Sequence, residues 1–272
     1  MDEDRKQGFD IKHHCYIMGI LNVTPDSFSD GGKFKEMDRA LFHVEEMMRE
    51  GMDIVDIGGE STRPGYQKIS AQEEIERVAP AIENVKKRFD IPVSLDTYRA
   101  DTAKAGILAG ADMINDTWGL KYDEGMAAVI AQAKVCCCLM HNRDNTVYRS
   151  FMTDVINDLQ ESVSLAKEAG IADDRIILDP GVGFGKTYEQ NLEIIRRLDG
   201  LHILGYPLLL GCSRKSVIGL TLDLPVDQRL EGTLVTTVFG VLKGCSFVRV
   251  HDVKENRRAV KMTEAINRIA TA

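Results

Sequence analysis

Long hydrophobic runs are missing from this sequence, and so is any segment of low complexity. No stretch approaches the roughly 18–20 consecutive apolar residues that cross a bilayer. The first ten residues, MDEDRKQGFD, are charged and lack the apolar centre of a signal peptide. We therefore expect no membrane segment and a cytoplasmic location. Because no linker interrupts the chain, we also expect residues 1–272 to form a single domain.

Positive charge is in deficit. The sequence has 34 lysines and arginines against 42 aspartates and glutamates, which gives a formal net charge of −8 at pH 7. General binders of nucleic acid or of anionic membranes carry a basic face, so this balance argues against both classes. Any anionic ligand must therefore be held by a local cluster of basic side chains.

The six cysteines form no pattern typical of a metal site, because no Cys-x-x-Cys pair and no Cys/His spacing of that kind is present. Three of them, Cys136, Cys137 and Cys138, are consecutive in an apolar run. Free thiols pack in protein interiors as small hydrophobes. We expect these cysteines to be buried and unpaired.

What the sequence does have is an alternation of short apolar runs and amphipathic stretches, repeated eight times. The predicted strands are 16–23, 54–58, 92–96, 113–116, 135–141, 176–179, 208–212 and 247–251. Strict alternation predicts a parallel sheet with right-handed crossovers, and eight such units in a chain of this length favour an α/β fold of the TIM (β/α)8 barrel type. The alternative is an open doubly wound sheet, but the glycine-rich phosphate-binding fingerprint expected after its first strand is missing.

Every predicted strand ends on, or just before, polar or charged residues. In a parallel barrel the carboxyl ends of all strands meet at one rim, where enzymes of this fold carry their active sites. The polar residues at these ends are Asn22, Glu60, Asp96, Asn115, Asp116, His141, Asp179, Ser213, Arg214, Lys215, Arg249, His251 and Asp252. This rim is the predicted active site.

Three of these residues, Asp96, Asn115 and Asp179, form an acceptor set. Carboxylates at the ends of apolar strands are costly to bury unless donors pair with them. A flat heterocycle rich in N–H and amino donors would satisfy two carboxylates and an amide. The alternative for any one of them is a helix N-cap or a strut between loops.

A second set is cationic and comprises Arg63, Lys215, Arg249 and His251. In an acidic chain, such a convergence at one rim predicts an anion site, and the region after strands seven and eight is a recurrent phosphate site in this fold. The alternative is ion pairing with local acids, for example Arg249 with Asp252.

Two loops at the same rim carry further reactive groups. The first spans 23–33 and contains Phe28 and Asp30, and the second spans 61–65 and contains Thr62, Arg63 and Pro64. Such loops could close over the rim and exclude water. Ordinary surface connections are the alternative.

Six segments, each at a strand end, resemble the signatures of the dihydropteroate synthases. They are GILNVTPDSFSDGG at 19–32, IGGESTRPG at 57–65, VSLDT at 93–97, IND at 114–116, LDPGVGFGK at 178–186 and GCSRKS at 211–216. The resemblance extends to RVHD at 249–252. One departure is visible after strand five, where the family usually continues His-Met with Gly and Pro nearby, whereas 141–146 here reads HNRDNT. The shape of this fifth loop is therefore open.

The resemblance implies a transferase of folate biosynthesis. The family joins 6-hydroxymethyl-7,8-dihydropterin diphosphate to para-aminobenzoate, with release of pyrophosphate and formation of 7,8-dihydropteroate. It further implies Mg²⁺ as cofactor, inhibition by sulfonamides in the aminobenzoate pocket, and a homodimer to which 235–241 could contribute.

The same resemblance implies roles for particular residues, grouped here by ligand. The pterin-binding set is Asp96, Asn115, Met140, Asp179, Phe184, Lys215 and Arg249. The pyrophosphate-binding set is Asn22, Thr62, Arg63, Arg249 and His251, with Asn22 at the metal. The aminobenzoate-binding set is Phe28, Thr62, Pro64, Lys215 and Ser216. The catalytic set is Asp30, Arg63, Asp96 and Lys215.

The implied mechanism needs no protein nucleophile, and no Ser-His-Asp or Cys-His arrangement stands out in the sequence. Two other functions stay open at this point. A corrinoid-linked pterin-dependent methyltransferase would share the barrel and the acceptor set but would have no pyrophosphate to expel. A non-catalytic pterin-binding paralogue would bind the pterin diphosphate without turning it over.

Overall fold

Eight parallel strands form the centre of the molecule in the computed structural model, which describes residues 14–24, 32–60 and 68–268. They are β1 (Tyr16–Asn22), β2 (Ile54–Gly58), β3 (Val93–Asp96), β4 (Met113–Asp116), β5 (Cys136–Met140), β6 (Ile176–Asp179), β7 (Leu209–Leu210) and β8 (Phe247–Val250). All eight predicted strands are present in order; β2, β4 and β6 have the predicted bounds, and the ends of the other five differ by one or two residues. The largest difference is β7, which keeps two of its five predicted residues.

The strands close into a barrel. Their order is β6-β5-β4-β3-β2-β1-β8-β7, with every pair parallel. A single parallel bridge between Leu178 and Leu208 joins the two ends of this sheet, and the Leu178 backbone N–H donates to the Pro207 carbonyl at 2.9 Å. The sheet is therefore a nearly closed TIM barrel, and the open doubly wound alternative is wrong.

Helices surround the barrel, and the described part of the chain has nine. They are α1 (Gly32–Glu50), α2 (Ala71–Arg88), α3 (Ala100–Leu108), α4 (Met126–Ala133), α5 (Phe151–Glu168), α6 (Tyr188–Arg196), α7 (Ser216–Leu222), α8 (Leu230–Leu242) and α9 (Val253–Asn267). The crossover from β7 to β8 holds two of them, α7 and α8. None of the helices in the described ranges is both long and apolar enough to cross a membrane.

All six cysteines are free thiols. Five are buried, and Cys136 at the start of β5 is half-buried. Burial raises the pKa of the Cys212 thiol to about 11, so this side chain is a neutral hydrophobe at pH 7.

The barrel interior is built in layers. A buried apolar layer consists of Met18, Ile54, Met113, Cys138, Ile177, Leu209 and Phe247. Because strand side chains alternate between faces, the next inward residue on each strand lies two positions further on. That second layer includes Asp56, Asn115, Met140, Asp179 and Arg249. The apolar layer is therefore followed by a polar layer toward the carboxyl ends of the strands. The candidate site lies at this polar layer.

Candidate active site

Arg249 links three strands of the polar layer. Its Nε donates to Asp56 Oδ2 at 2.6 Å, and its Nη2 donates to Asp96 Oδ2 at 2.7 Å. Asn115 Nδ2 donates to the same Asp56 oxygen at 3.3 Å. Four groups from β2, β3, β4 and β8 thus form one hydrogen-bonded cluster inside the barrel mouth, and charge-assisted bonds of this kind fix side-chain positions.

Asp56 is the residue of this cluster that the sequence analysis missed. Its side chain is fully buried, and its Oδ1 has no hydrogen-bond partner among the residues that the structure describes. A usable signal was present, because an acid stands in the middle of the apolar strand IVDIG, on the same face as Ile54 and Gly58. A buried carboxylate there requires a cation or donors on neighbouring strands.

The two predicted carboxylates lie on either side of Asn115 along the sheet. Burial raises the pKa of Asp96 to about 7, against the attraction of Arg249. Burial likewise raises the pKa of Asp179 to about 6, although its Oδ1 accepts a 2.7 Å hydrogen bond from the Gly181 backbone N–H. Burial thus disfavours the ionised form of both groups, and hydrogen-bond donors on a ligand would stabilise that form.

Lys215 lies on the same side of the barrel as Asp179. Its Nζ is 4.0 Å from the centroid of the Phe184 ring, and a Cβ placed on Gly183 would lie 3.2 Å from its Cδ. Burial and the Arg249 charge lower the pKa of Lys215 to about 8, whereas the Asp179 carboxylate acts in the opposite direction. The geometry brings together residues that are 36 positions apart in the printed sequence.

The ion pairs of the cationic set differ from the pair of Arg249 with Asp252 that the sequence suggested as an alternative. Arg249 pairs with Asp56 and Asp96, and Asp252 pairs instead with Arg214, at 3.0 Å and 2.5 Å. The pair of Arg249 with Asp252 that the sequence left open is therefore wrong. His251 Nδ1 lies 3.0 Å from the Ser213 hydroxyl, which couples the end of β8 to the end of β7.

Asn22 and Asp96 flank Gly58 at the barrel mouth. A Cβ placed on Gly58 would lie 3.6 Å from Asn22 Oδ1 and 3.8 Å from Asp96 Oδ2, so the missing side chain leaves room for both groups. Met140 is buried at the end of β5, and Ser216 is exposed at the first position of α7. The other predicted site residues, Phe28, Asp30, Thr62, Arg63 and Pro64, lie outside the described residues.

The Asn22 side chain fits a magnesium ion that is held mainly by substrate phosphates rather than by the protein. Within the described ranges no group of three His, Cys, Asp or Glu side chains could hold a metal by itself. Mg²⁺ prefers oxygen ligands and is usually held by one or two protein oxygens together with substrate phosphates and water. Asn22 Oδ1 and the Asp96 carboxylate are too few to hold the ion alone. They fit Mg²⁺ only if a diphosphate supplies further oxygen ligands.

The pocket combines oxygen acceptors at Asp96, Asn115 and Asp179 with cations at Lys215 and Arg249. Such a lining suits a planar heterocycle that presents N–H donors and carries an anionic group. Fold and site together define a TIM-barrel enzyme that binds a polar heterocycle at the carboxyl ends of its strands.

Comparison with known proteins gives the particular family. Residues 18–251 match the family model described as pterin binding enzyme. The chain belongs to this pterin-binding enzyme family and, within it, to the dihydropteroate synthases.

Three relatives support that assignment. A dihydropteroate synthase of Clostridium beijerinckii is 61% identical over 261 residues, which are 96% of this chain and 97% of that protein. The crystal structure of the Clostridium difficile enzyme in the presence of pteroic acid is 51% identical, covers 96% of this chain and 99% of its own, and superposes with a TM-score of 0.94. The Yersinia pestis enzyme in complex with a sulfonamide drug is 40% identical, covers 97% and 98%, and has a TM-score of 0.90.

Proposed function

We propose that this protein is a transferase that joins 6-hydroxymethyl-7,8-dihydropterin diphosphate to para-aminobenzoate, forming 7,8-dihydropteroate and pyrophosphate in folate biosynthesis. The observation that carries the proposal is the buried polar layer in which Arg249 contacts both Asp56 and Asp96 beside Asn115. Full-length relatives at up to 61% identity are dihydropteroate synthases, which disfavours a corrinoid-linked methyltransferase or a non-catalytic paralogue.

The acceptor set holds the pterin. Because Asn115 Nδ2 donates to Asp56, its Oδ1 is left to face the pocket as an acceptor beside the Asp96 and Asp179 carboxylates. The ring's amino and N–H groups are donors to these oxygens, and Lys215 donates to a ring acceptor. Met140, Phe184 and the Arg249 stem pack against the ring faces.

The diphosphate binds beside the pterin, at Asn22, Thr62, Arg63, Arg249 and His251. Two of the five N–H groups of Arg249 are committed to Asp56 and Asp96, so three remain for an anion. Asn22 Oδ1 would hold Mg²⁺ together with the diphosphate, and the ion would supply charge neutralisation for the departing group.

The protein contributes electrostatic stabilisation to the bond-breaking step. The exocyclic methylene loses pyrophosphate, and the positive charge that develops on the pterin is stabilised by Asp96 and Asp30, while Arg63, Arg249 and His251 stabilise the anion. The aniline nitrogen of para-aminobenzoate then attacks the methylene, and the nitrogen loses one proton to give the neutral product. The residues that hold the aminobenzoate are Phe28, Thr62, Pro64, Lys215 and Ser216. A sulfonamide occupies the same aminobenzoate pocket and inhibits.

We also propose that the protein is a cytoplasmic homodimer. Six free cysteines fit a reducing compartment. The neighbouring helices α8 and α9 expose Val235, Leu242, Met262 and Ile266, each more than half exposed. Exposed apolar side chains on two adjacent helices suit association with a second copy.

The decisive experiment mixes the protein with both substrates and Mg²⁺ and detects 7,8-dihydropteroate by mass spectrometry, with pyrophosphate release measured in parallel. Product in stoichiometric balance with pyrophosphate is expected, and an Asp179→Asn variant should form far less. Binding of the pterin diphosphate by titration calorimetry without any product would instead establish a non-catalytic binder.

A further inference from the structure

A buried lysine outside the acceptor set lies in the loop between β6 and α6. Lys186 is only 9% exposed, and its Nζ has three acceptors at hydrogen-bond distance. These are His141 Nδ1 at 2.7 Å, the Gly181 carbonyl at 2.9 Å and the Phe184 carbonyl at 3.0 Å. An ammonium has three N–H groups, one for each of these acceptors, whereas burial lowers the pKa of Lys186 to about 7.

His141, one of the polar residues at the predicted rim, is a hydrogen-bond acceptor for this lysine. Its Nε2 lies 3.0 Å from Asp158 Oδ2, and an ionised carboxylate can only accept, so we assign the hydrogen to Nε2. Burial lowers the pKa of His141 to about 4, which keeps the ring neutral and leaves Nδ1 as an acceptor for Lys186.

Asp158 is in turn held by Arg143, in the loop after β5. Arg143 donates to it twice, from Nε at 2.6 Å and from Nη2 at 3.0 Å. Such a bidentate pair fixes orientation as well as charge. Arg143, Asp158, His141 and Lys186 therefore form one continuous hydrogen-bonded relay that starts in the loop after β5.

The relay ends at Gly181 and Phe184, two loop residues that also contact side chains of the active site. Gly181 presents its N–H to Asp179 Oδ1 at 2.7 Å, and Phe184 presents its ring to Lys215 Nζ at 4.0 Å. Lys186 binds the carbonyls of these same two residues. Any displacement of the lysine therefore moves both a donor to the Asp179 carboxylate and the ring beneath Lys215.

We propose that Lys186 is a positioning residue for pterin binding, which holds Gly181 and Phe184 in place and is itself oriented by the relay through His141 and Asp158. It does not contact substrate. This inference rests on the proposed function, because the pterin is the ligand whose site is positioned.

The test measures binding of 6-hydroxymethylpterin, which lacks the diphosphate and cannot react, by titration calorimetry. Lys186→Met keeps the chain length but removes all three donated bonds. Loss of hydrogen bonds to a charged group predicts about 10–100-fold weaker binding. The KM for the pterin diphosphate should rise similarly. The matched control is Lys167→Met, at an exposed lysine that pairs with Asp173 on the surface.

A double-mutant cycle separates positioning from general damage. If Lys186 acts through the loop that orients Asp179, Lys186→Met should weaken binding far less in an Asp179→Asn background than in the wild type. The proposal would be overturned if the fold-change in Kd of the double variant equalled the product of the fold-changes of the two single variants. A Kd for Lys186→Met within twofold of the wild-type value would also overturn it.

A second variant covers the case in which Lys186→Met does not fold. Asp158→Ala removes the carboxylate that orients His141 but leaves Lys186 in place, and Asp158 lies partly exposed on α5. Binding should weaken by about 3–10-fold. An unchanged Kd there contradicts the relay. If wild-type protein binds no pterin at all, the proposed function fails instead, which is a distinguishable result.

Discussion

Arg249 and Asp56 are 193 residues apart in the chain, yet the arginine Nε and the carboxylate Oδ2 share a 2.6 Å hydrogen bond. The two residues come from β8 and β2, the strands on either side of β1. Their bond crosses the barrel interior above β1, and the second guanidinium contact, to Asp96, extends it to β3. The site is thus preorganised by ion pairing before any ligand binds.

Asp56→Ala should therefore destabilise the fold as well as the site. It leaves Arg249 with one carboxylate and Asn115 without its acceptor, and removal of one partner of a buried ion pair costs about 3 kcal/mol or more of unfolding free energy. Urea unfolding followed by circular dichroism measures this loss. The control is Asp199→Ala, at an exposed pair with Lys243, which should change little. Equal stability of the two variants would contradict a structural role for Asp56.

Lys215→Met should lower turnover without loss of the fold. Methionine can still pack on the Phe184 ring but carries no charge and no donor, and removal of one such group costs about 10²–10³-fold in turnover. Lys243→Met is a matched control, because Lys243 also lies over an aromatic ring, Phe239 at 5.8 Å, away from the pocket. Near-normal turnover with Lys215→Met would remove this lysine from the site.

The pH profile of kcat/KM should be bell-shaped. Asp96 and Asp179, with pKa values raised by burial to about 7 and about 6, must be ionised to accept bonds from the pterin, so activity rises as pH increases through that range. Lys215, with a pKa lowered by burial to about 8, must be protonated, so activity falls above that value. Initial rates at low substrate across the range measure both limbs. A flat profile would show that none of these protons matters.

Gly170 and Gly181 both have a positive φ, but only Gly181 is closely packed. Alanine substitutions at the two positions therefore separate the cost of backbone strain from the cost of a steric clash. Gly170 has a φ of +90° and open space where a Cβ would lie, whereas Gly181 has a φ of +68° and a Cβ there would overlap the His141 carbonyl oxygen. Gly170→Ala should cost only about 1–2 kcal/mol of stability from its backbone. Gly181→Ala must also displace the loop and should weaken pterin binding, which calorimetry measures. Intact pterin binding in Gly181→Ala would mean that the loop tolerates displacement.

The dimer proposal predicts a change of mass when charge enters the exposed face of α8. Val235→Glu should convert a dimer to a monomer in light scattering coupled to size-exclusion chromatography, because an unpaired charge at an apolar interface is costly. Leu108→Glu is the control, since Leu108 is 81% exposed on α3, which packs between α2 and α4. A wild-type monomer would contradict the dimer proposal, and a Val235→Glu variant that stays dimeric would show that the interface lies elsewhere.

The sequence by itself determined the barrel and the edge at which the site lies. Apolar runs of strand length, separated by amphipathic helices, are a local pattern that predicts all eight strands, and parallel topology then brings Asp96, Asn115, Asp179 and Lys215 to one rim. Glycines that follow helices are also a local feature, because the left-handed backbone after a helix C-terminus favours glycine. Gly110 and Gly244, for example, have φ values of +111° and +82°.

Only the tertiary structure decided which side chains pair with which. Arg249 bonds to Asp56 and Asp96 rather than to Asp252, and His141 serves Lys186 rather than a ligand. Periodicity reports the face on which a residue lies, but a partner is chosen by strand register and barrel closure among residues far apart in the chain. The sequence therefore marks Asp56 as an acid inside an apolar strand, but only the tertiary structure shows that Arg249 and Asn115 are its partners.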